Sequence, residues 1–396
     1  MQVFFHILSH TIAVFIVIEK CRLSRYTGLM STKELVRSIL AERSGDAAFV
    51  SGEALAARCG ISRTSVWKAI QALERDGYCI QAVTKCGYRL ISEPDPVDAA
   101  VIKSRMEQLG ATPGAVSAFP SIDSTLSESK RAEAAVPAFR RADGSLTLEG
   151  AALHRCLIVA GQQTAGRGRM GRTFVSPANS GVYFTLVYAP KGGVTNPALL
   201  TAAAALAVAR AIDALYGTQA QIKWVNDVFV GGKKVCGILT EGFASFESGR
   251  VEAANVGIGI NLRPAGSKGF SGDLAKVAGS IYEAAGSTPQ AARVSRNELV
   301  AHVAAELLNM YDAFDREGAP AAASDVSAVM AEYKARSFLL GKTVSVNPAA
   351  GLTGQSYRAQ VVDIDDSAAL VVRTESGESR LLHSGEVSLH SYDFAL

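Results

Sequence analysis

Gln163-Thr164-Ala165-Gly166-Arg167-Gly168-Arg169-Met170-Gly171-Arg172 sets three glycines and three arginines within seven residues, directly after an apolar run. Glycine tolerates backbone angles that other residues resist and lets a bound group come close to the chain. Each guanidinium offers a planar fork of donors suited to phosphate and carboxylate. A loop of this composition can close around an anion. The plainer reading, a solvated basic loop, is weakened by the neighbours. Residues 156–160 before the loop read as a buried strand and residues 181–188 after it as another, so it hangs between two core elements. A Rossmann turn or a P-loop would need a helix starting inside the glycine motif, whereas Pro177 and a strand follow here.

The stretch resembles the GRGRRGR signature of biotin–protein ligases, with methionine in the fifth position. Four companions stand at matching order and spacing. They are Ile122-Asp123-Ser124-Thr125, Lys223-Trp224-Val225-Asn226-Asp227, the run from Lys233-Lys234 through Gly237 to Glu241, and Gly257-Ile258-Gly259-Ile260-Asn261. Any one alone is a weak signal. Together they cover most of residues 115–262, and the flanks resemble the bifunctional ligase–repressor branch of that family. The fold this implies is α+β: an N-terminal winged helix over 31–93, a central mixed-sheet α/β ligase domain of the class II synthetase-like type over 97–338, and an SH3-like C-terminal β-barrel over 340–396.

The same resemblance assigns roles. Lys234 and Arg169 match the catalytic pair. Biotin contacts fall to Ser124, Thr125, Leu126, Gln163, Arg167, Gly168, Arg169, Lys234 and Gly237, with Leu126 standing where the family commonly has a polar residue. ATP and its adenylate fall to Arg169, Arg172, Phe174, Asn226, Asp227 and Asn261. Phe174 replaces a common tryptophan and can still stack on adenine, although it and Asn261 also suit plain core and turn positions. Magnesium is expected to be held by ATP phosphates, with Asp227 beside it and no dedicated metal site. Val225 replaces the proline of KWPND, which implies a looser strand end.

Residue chemistry gives independent reasons. A biotin carboxylate attacking the α-phosphate of ATP brings two anions together, and a fixed cation lowers that cost. The ureido ring carries donors and acceptors that a buried pocket must match. Without the resemblance, Ser124 and Thr125 would pass as a helix cap, and the lysines beside Gly231-Gly232 as solvated hairpin residues.

At 396 residues the chain suits two or three domains, and its net charge of +3 leaves nucleic-acid affinity to a local patch. Six cysteines form no C-x-x-C pair and the six histidines do not cluster, which excludes an obvious zinc site or disulfide framework and points to the cytoplasm. Residues 3–18 are apolar but shorter than the roughly 20 residues a membrane span needs, and they lack a signal peptide's basic start and cleavage site. Met30-Ser31-Thr32-Lys33-Glu34 looks like a natural beginning, so residues 1–29 are expected to be an upstream extension and no membrane is expected.

Ser31 and Glu34 form a capping box, and helices follow over residues 52–58 and 63–76, separated by Cys59-Gly60-Ile61-Ser62. A hairpin over residues 78–91 completes a helix-turn-helix with a wing. Ser62, Arg63, Thr64, Ser65 and Lys68 are then the groove-facing candidates, with Lys85 and Arg89 near the DNA backbone. Trp67 suits either core or surface. Pro94-Asp95-Pro96 is the clearest boundary. Residues 132–153 show no period and read as an inserted surface loop without chemistry. Residues 197–217 read as a buried alanine-rich helix, and short β-branched runs after Gly341 suggest a small barrel.

The partners implied are a biotin carboxyl carrier domain, operator DNA and a second copy of the chain in an adenylate-bound homodimer. The rivals are a lipoate–protein ligase of the same fold and a non-catalytic winged-helix biotin sensor.

Overall fold

The computed structural model describes residues 31–42, 49–244, 249–264, 270, 272, 274–285, 294–315, 320–347, 356–383 and 386–389. The expected extension over residues 1–29 lies outside them. The chain divides into two compact units, Met1–Pro94 and Asp95–Leu396.

In the first unit each helix begins at a serine whose side chain satisfies an otherwise orphaned backbone N–H. Ser31 and Glu34 complete the capping box of α1 (Thr32–Ala41), Ser51 caps α2 (Gly52–Cys59) and Ser62 caps α3 (Arg63–Arg75). Gly60 ends α2 at φ 66°, where glycine escapes the Cβ penalty, and so allows the tight turn into α3. Val36, Ile39, Leu40, Leu55, Val66, Ile70 and Leu73 form the core between the helices, with Ile80 and Leu90 closing it from the antiparallel pair β1 (Cys79–Val83) and β2 (Gly87–Ser92). Trp67 lies on the surface.

The second unit opens with α4 (Ala99–Gln108), β3 (Val116–Phe119), α5 (Thr125–Ala134), α6 (Leu148–Leu153), β4 (Leu157–Ala160) and β5 (Gly181–Tyr188). Then come α7 (Pro197–Tyr216), β6 (Gln221–Lys223), β7 (Asp227–Val230), β8 (Lys233–Ala244) and β9 (Val251–Asn261). Short helices α8 (Leu274–Val277) and α9 (Ile281–Ala284) precede the long α10 (Arg296–Phe314) and α11 (Pro320–Arg336). Seven strands form one mixed sheet in the order β3-β4-β5-β9-β8-β7-β6, with β3 and β4 parallel and the remaining pairs antiparallel.

Because strand side chains alternate between faces, the register sorts the residues into two sets. Phe184, Ile258 and Ile238 stand in one cross-strand row and Leu186 and Val256 in the next, all within the apolar core shared with α7 and α10. On the opposite face the corresponding rows are Tyr183-Gly259-Gly237 and Thr185-Gly257-Leu239. The centre of that face therefore has no side chains. Helix α7 has the length and apolarity of a membrane span, yet Ala202 through Ala209 are entirely buried between the sheet and α10. Small side chains let these layers approach closely.

Residues 132–153 are not the featureless surface loop their composition suggested. Helix α6 lies within them, and Phe139 is buried with Cys156, Val187 and Ala253 on the far end of the side-chain-poor face. Arg140 pairs with buried Glu252 at 3.0 Å. One aromatic anchor and one ion pair fasten the segment without periodicity, which is why the pattern was invisible.

The five carboxyl-terminal strands, β10 (Thr343–Asn347), β11 (Tyr357–Ile364), β12 (Leu370–Thr374), β13 (Ser379–Leu382) and β14 (Glu386–Leu389), form an antiparallel sheet in the order β13-β12-β11-β10-β14. Among the described residues its two outer strands are not paired with each other. Trp224 Nε1 donates to the Ala368 carbonyl at 2.8 Å and so ties this sheet to the end of β6. At the other end, Asp95 is clamped. Its carboxylate accepts from the Arg296 backbone N–H at 2.7 Å and from Arg263 Nη2 at 3.2 Å, while its carbonyl accepts from Arg296 Nε at 2.6 Å.

His154 Nδ1 accepts the Ala189 backbone N–H at 3.1 Å, so that nitrogen must stay unprotonated. Burial, helped by the Arg155 charge, lowers its pKa from 6.5 to about 4. The unfolded chain then binds a proton that the folded chain refuses, and stability drops as pH falls from 6.5 to about 4. Discounted for partial exposure, the loss is about 1–2 kcal/mol. Urea midpoints across that range should show it, and His154→Gln should flatten the slope.

Candidate active site

The side-chain-poor face becomes a pocket because four segments line it. A cavity of about 300 Å³ lies between the amino-terminal turn of α5, the Gly/Arg loop, the turn between β6 and β7, and Leu274 and Val277 of α8, over the glycines of β8 and β9. Ser124, Thr125, Leu126, Gln163, Arg167, Gly168, Arg169, Arg172, Phe174, Asn226, Asp227, Lys234, Gly237 and Asn261 all line this one cavity.

The floor is held open by glycine. A methyl group at Gly259 would stand 2.5 Å from the Phe174 ring and one at Gly257 would stand 2.7 Å from the Leu126 side chain. Phe174 therefore lies over Gly259 and Gly237, and Leu126 over Gly257. The Gly/Arg loop doubles back on itself through bridges between Gln163 and Ser176 and between Arg167 and Thr173. A Cβ at Gly166 would stand 2.3 Å from the Phe174 carbonyl, so only glycine permits the closure.

A hydrogen-bonded chain fixes one end of the pocket. Thr185 donates to Thr125 at 2.9 Å, Thr125 reaches Gln163 Oε1 through its N–H at 2.9 Å, and Gln163 Nε2 donates to Ser176 at 3.0 Å. Ser124 occupies the cap position of α5, fully buried, but its hydroxyl makes no cap bond. The residue lines the cavity. Asp123 beside it accepts both guanidinium nitrogens of Arg131 at 2.8 Å, and those bonds hold its carboxyl down at about 2.

At the other end the charges are pre-paired. Lys234 Nζ sits 2.7 Å from Asp227 Oδ1, and Asn226 Nδ2 donates to the same oxygen at 3.0 Å. Arg169 Nη1 donates to Asn226 Oδ1 at 2.7 Å, which joins the Gly/Arg loop to the β6–β7 turn. Arg167 Nη2 donates to Glu241 at 2.9 Å, and Lys130 meets the other oxygen of that carboxylate at 3.0 Å. Among the described residues, five cations line the cavity against a single carboxylate, Asp227. The balance suits phosphate and carboxylate ligands.

Lys234 is ion-paired and half-buried, because β8 turns its ammonium back over Gly237. One expectation changes. The end of β6 is not loose despite the missing proline: Val225 is buried and its carbonyl accepts from Tyr333 Oη at 3.2 Å. Lys223, Gly257 and Gly259 also line the cavity without having been assigned to it. The alternation of glycine with isoleucine in residues 257–260 was the available signal for a bare face. Among the described residues no three His, Cys, Asp or Glu side chains gather as a metal site.

The remaining candidates belong to the first unit. Ser62, Arg63, Thr64 and Lys68 are exposed on α3, with Ser65 half-buried beneath them. Lys85 is exposed at the hairpin tip with φ 67°. Arg89 is engaged within the unit, donating to Gln81 at 2.7 Å and lying over the Phe49 ring at 4.9 Å.

Three family models match the chain: the biotin/lipoate A/B protein ligase family over residues 150–261, a helix-turn-helix domain over 36–89 and the biotin protein ligase C-terminal domain over 340–390. The bifunctional ligase/repressor BirA of Bacillus subtilis is 29% identical over 341 residues, covering 86% of this chain and 94% of the relative. A biotin–[acetyl-CoA-carboxylase] ligase of Paracoccus denitrificans is 45% identical over 114 residues, 28% of this chain and 46% of the relative. Among solved structures, the Aquifex aeolicus biotin protein ligase in complex with biotin and ATP aligns with TM-score 0.52 at 23% identity, covering 69% of this chain and 98% of that one.

Gly259→Ala tests the floor. The new methyl group must push the Phe174 ring off the sheet, and overpacking of this kind costs about 1–3 kcal/mol. Chemical denaturation should show a destabilisation of that order.

Proposed function

The chain belongs to the bifunctional biotin–protein ligase and biotin operon repressor family, and on that premise we propose how its two units divide the work. The second unit activates biotin with ATP to biotinyl-5′-AMP and pyrophosphate, then passes the biotinyl group to one lysine of a biotin carboxyl carrier protein. The observation that carries this reading is the convergence of the Gly/Arg loop, the Asn226-Asp227 turn and Lys234 on one cation-rich, glycine-floored cavity.

In the first step the biotin carboxylate attacks the α-phosphorus, the bond to the bridging oxygen breaks, and pyrophosphate leaves. In the second the carrier lysine amine attacks the acyl carbon and AMP leaves. The mixed anhydride turns a poor electrophile into a reactive one. Ser124 and Thr125 meet the ureido ring, Gln163 and Arg167 lie along the side chain, and Lys234 and Arg169 stabilise charge at the phosphate. Phe174 and Asn261 take the adenine side, Arg172 the nucleotide, and Gly168 and Gly237 leave room for the ligand. Preformed ion pairs and hydrogen bonds keep the lysine and arginines in place before any ligand arrives, so little reorganisation remains at the moment of reaction.

Magnesium would enter with the triphosphate, since among the described lining residues Asp227 carries the one carboxylate. It would neutralise phosphate charge there.

The first unit is a winged helix that lays α3 in the major groove of operator DNA, with Lys85 at the wing near the phosphates and Arg89 behind it. The carboxyl-terminal sheet is an SH3-like domain supporting the site through Trp224. Adenylate-bound chains pair as a homodimer on two half-sites in the cytoplasm, and the adenylate acts as corepressor.

Pyrophosphate release with biotin plus ATP, and none with lipoate plus ATP, separates turnover from a mere sensor and from a lipoate ligase. Lys234→Gln should lower the rate by about 10²–10³-fold, the scale for a lost transition-state donor. Arg169→Gly should leak the adenylate and biotinylate bystander lysines; a variant that retains the intermediate as tightly as the parent would remove Arg169 from this role. Gel shifts should strengthen when biotin and ATP are both present.

A further inference from the structure

Trp67 is the bulkiest exposed apolar side chain described in the first unit, with 54% of its surface accessible. Helix α3 buries Val66, Ala69, Ile70 and Leu73, and Trp67 stands outside that stripe, one turn below Arg63 and Thr64 with Lys68 next in sequence, all three exposed. Single exposed apolar residues are ordinary. This one is unusual for its surroundings, because no carboxylate occurs in residues 62–68 and the first turn carries Arg63 where the helix dipole favours an anion. A cation at the positive end of the helix and an indole in water are both unfavourable for the fold alone. One kind of occupant relieves both: a polyanion that also presents apolar edges.

Resting on the reading of this unit as DNA-binding, we infer that Trp67 is a base-reading residue whose indole packs against thymine 5-methyl groups in the major groove. Arg63 and Lys68 flank it with charge for the phosphates, and Thr64 and Ser62 supply short donors. The thymine methyl is the apolar feature the major groove displays, and an apolar side chain reads it without hydrogen bonds. Sequence preference would then reside partly in Trp67, while non-specific affinity resides in the cations.

The chain has two tryptophans, and the other, Trp224, is 4% exposed, so emission changes on DNA binding report Trp67. Duplexes are first selected by the full wild-type chain from a random-sequence pool in the presence of biotin and ATP. Saturation with the selected duplex should shift the emission of the wild type and leave Trp67→Phe unchanged. Uracil is then placed at each thymine in turn, which removes only the methyl. At one or two positions the wild type should lose about fivefold or more in affinity, and Trp67→Ala should lose nothing further there. Because the uracil series is run on wild-type protein, a variant that folds poorly cannot decide the matter. Losses below twofold at every thymine, or an emission unmoved by saturation, overturn the inference while leaving DNA binding intact. Failure of the wild type to enrich any duplex removes the DNA-binding reading itself, and this inference with it.

Discussion

The site depends on an absence at the centre of a sheet. Gly237 and Gly259 are partners across β8 and β9 and Gly257 follows on the same face, so the face turned away from α7 and α10 has a trough where three side chains would otherwise stand. Everything placed over it follows from that space: Leu126 fills one part, the Phe174 ring another, and the remainder is the cavity. The opposite face of the same strands is filled by isoleucine, valine and phenylalanine against α7 and α10, which supply the rigidity that a sheet stripped of side chains on one face would lack. The stiff side and the bare side are one alternating sequence seen from two directions.

Above the trough, charge is managed by pairing. Arg167, Arg169 and Lys234 each have a partner within the protein, so no bare cation waits over the cavity from these three. The partners differ in strength. Asn226 is neutral, whereas Asp227 and Glu241 are charged. Half-exposed ion pairs are worth little in isolation, which makes them exchangeable for a substrate anion.

Much of this was readable in the chain itself because it is local. Capping serines at 31, 51, 62 and 295 mark helix starts through bonds spanning three residues, and the strands around the Gly/Arg loop announce themselves by continuous apolar runs. The pairings that shape the site are not local. Arg169 finds Asn226 across 57 positions and Arg167 finds Glu241 across 74, and no periodicity encodes such meetings. The insertion over residues 132–153 illustrates the same limit, since Phe139 is buried against Cys156, Val187 and Ala253, all outside the segment. Val225 illustrates the converse. A missing proline looked like a loosened backbone, but Tyr333, 108 residues away, supplies the restraint from outside.

Asp95 carries a practical lesson about where this protein can be divided. Arg263 and Arg296 are 6% and 3% exposed, and the single carboxylate between them is the first residue of the second unit. A fragment cut to begin at Asp95 keeps that counter-ion; one begun two residues later leaves a pair of guanidinium groups facing each other in a dry interior, the costliest arrangement of charge a fold can hold. The apparent tether between the units thus belongs, at its downstream end, to the foundations of the enzyme.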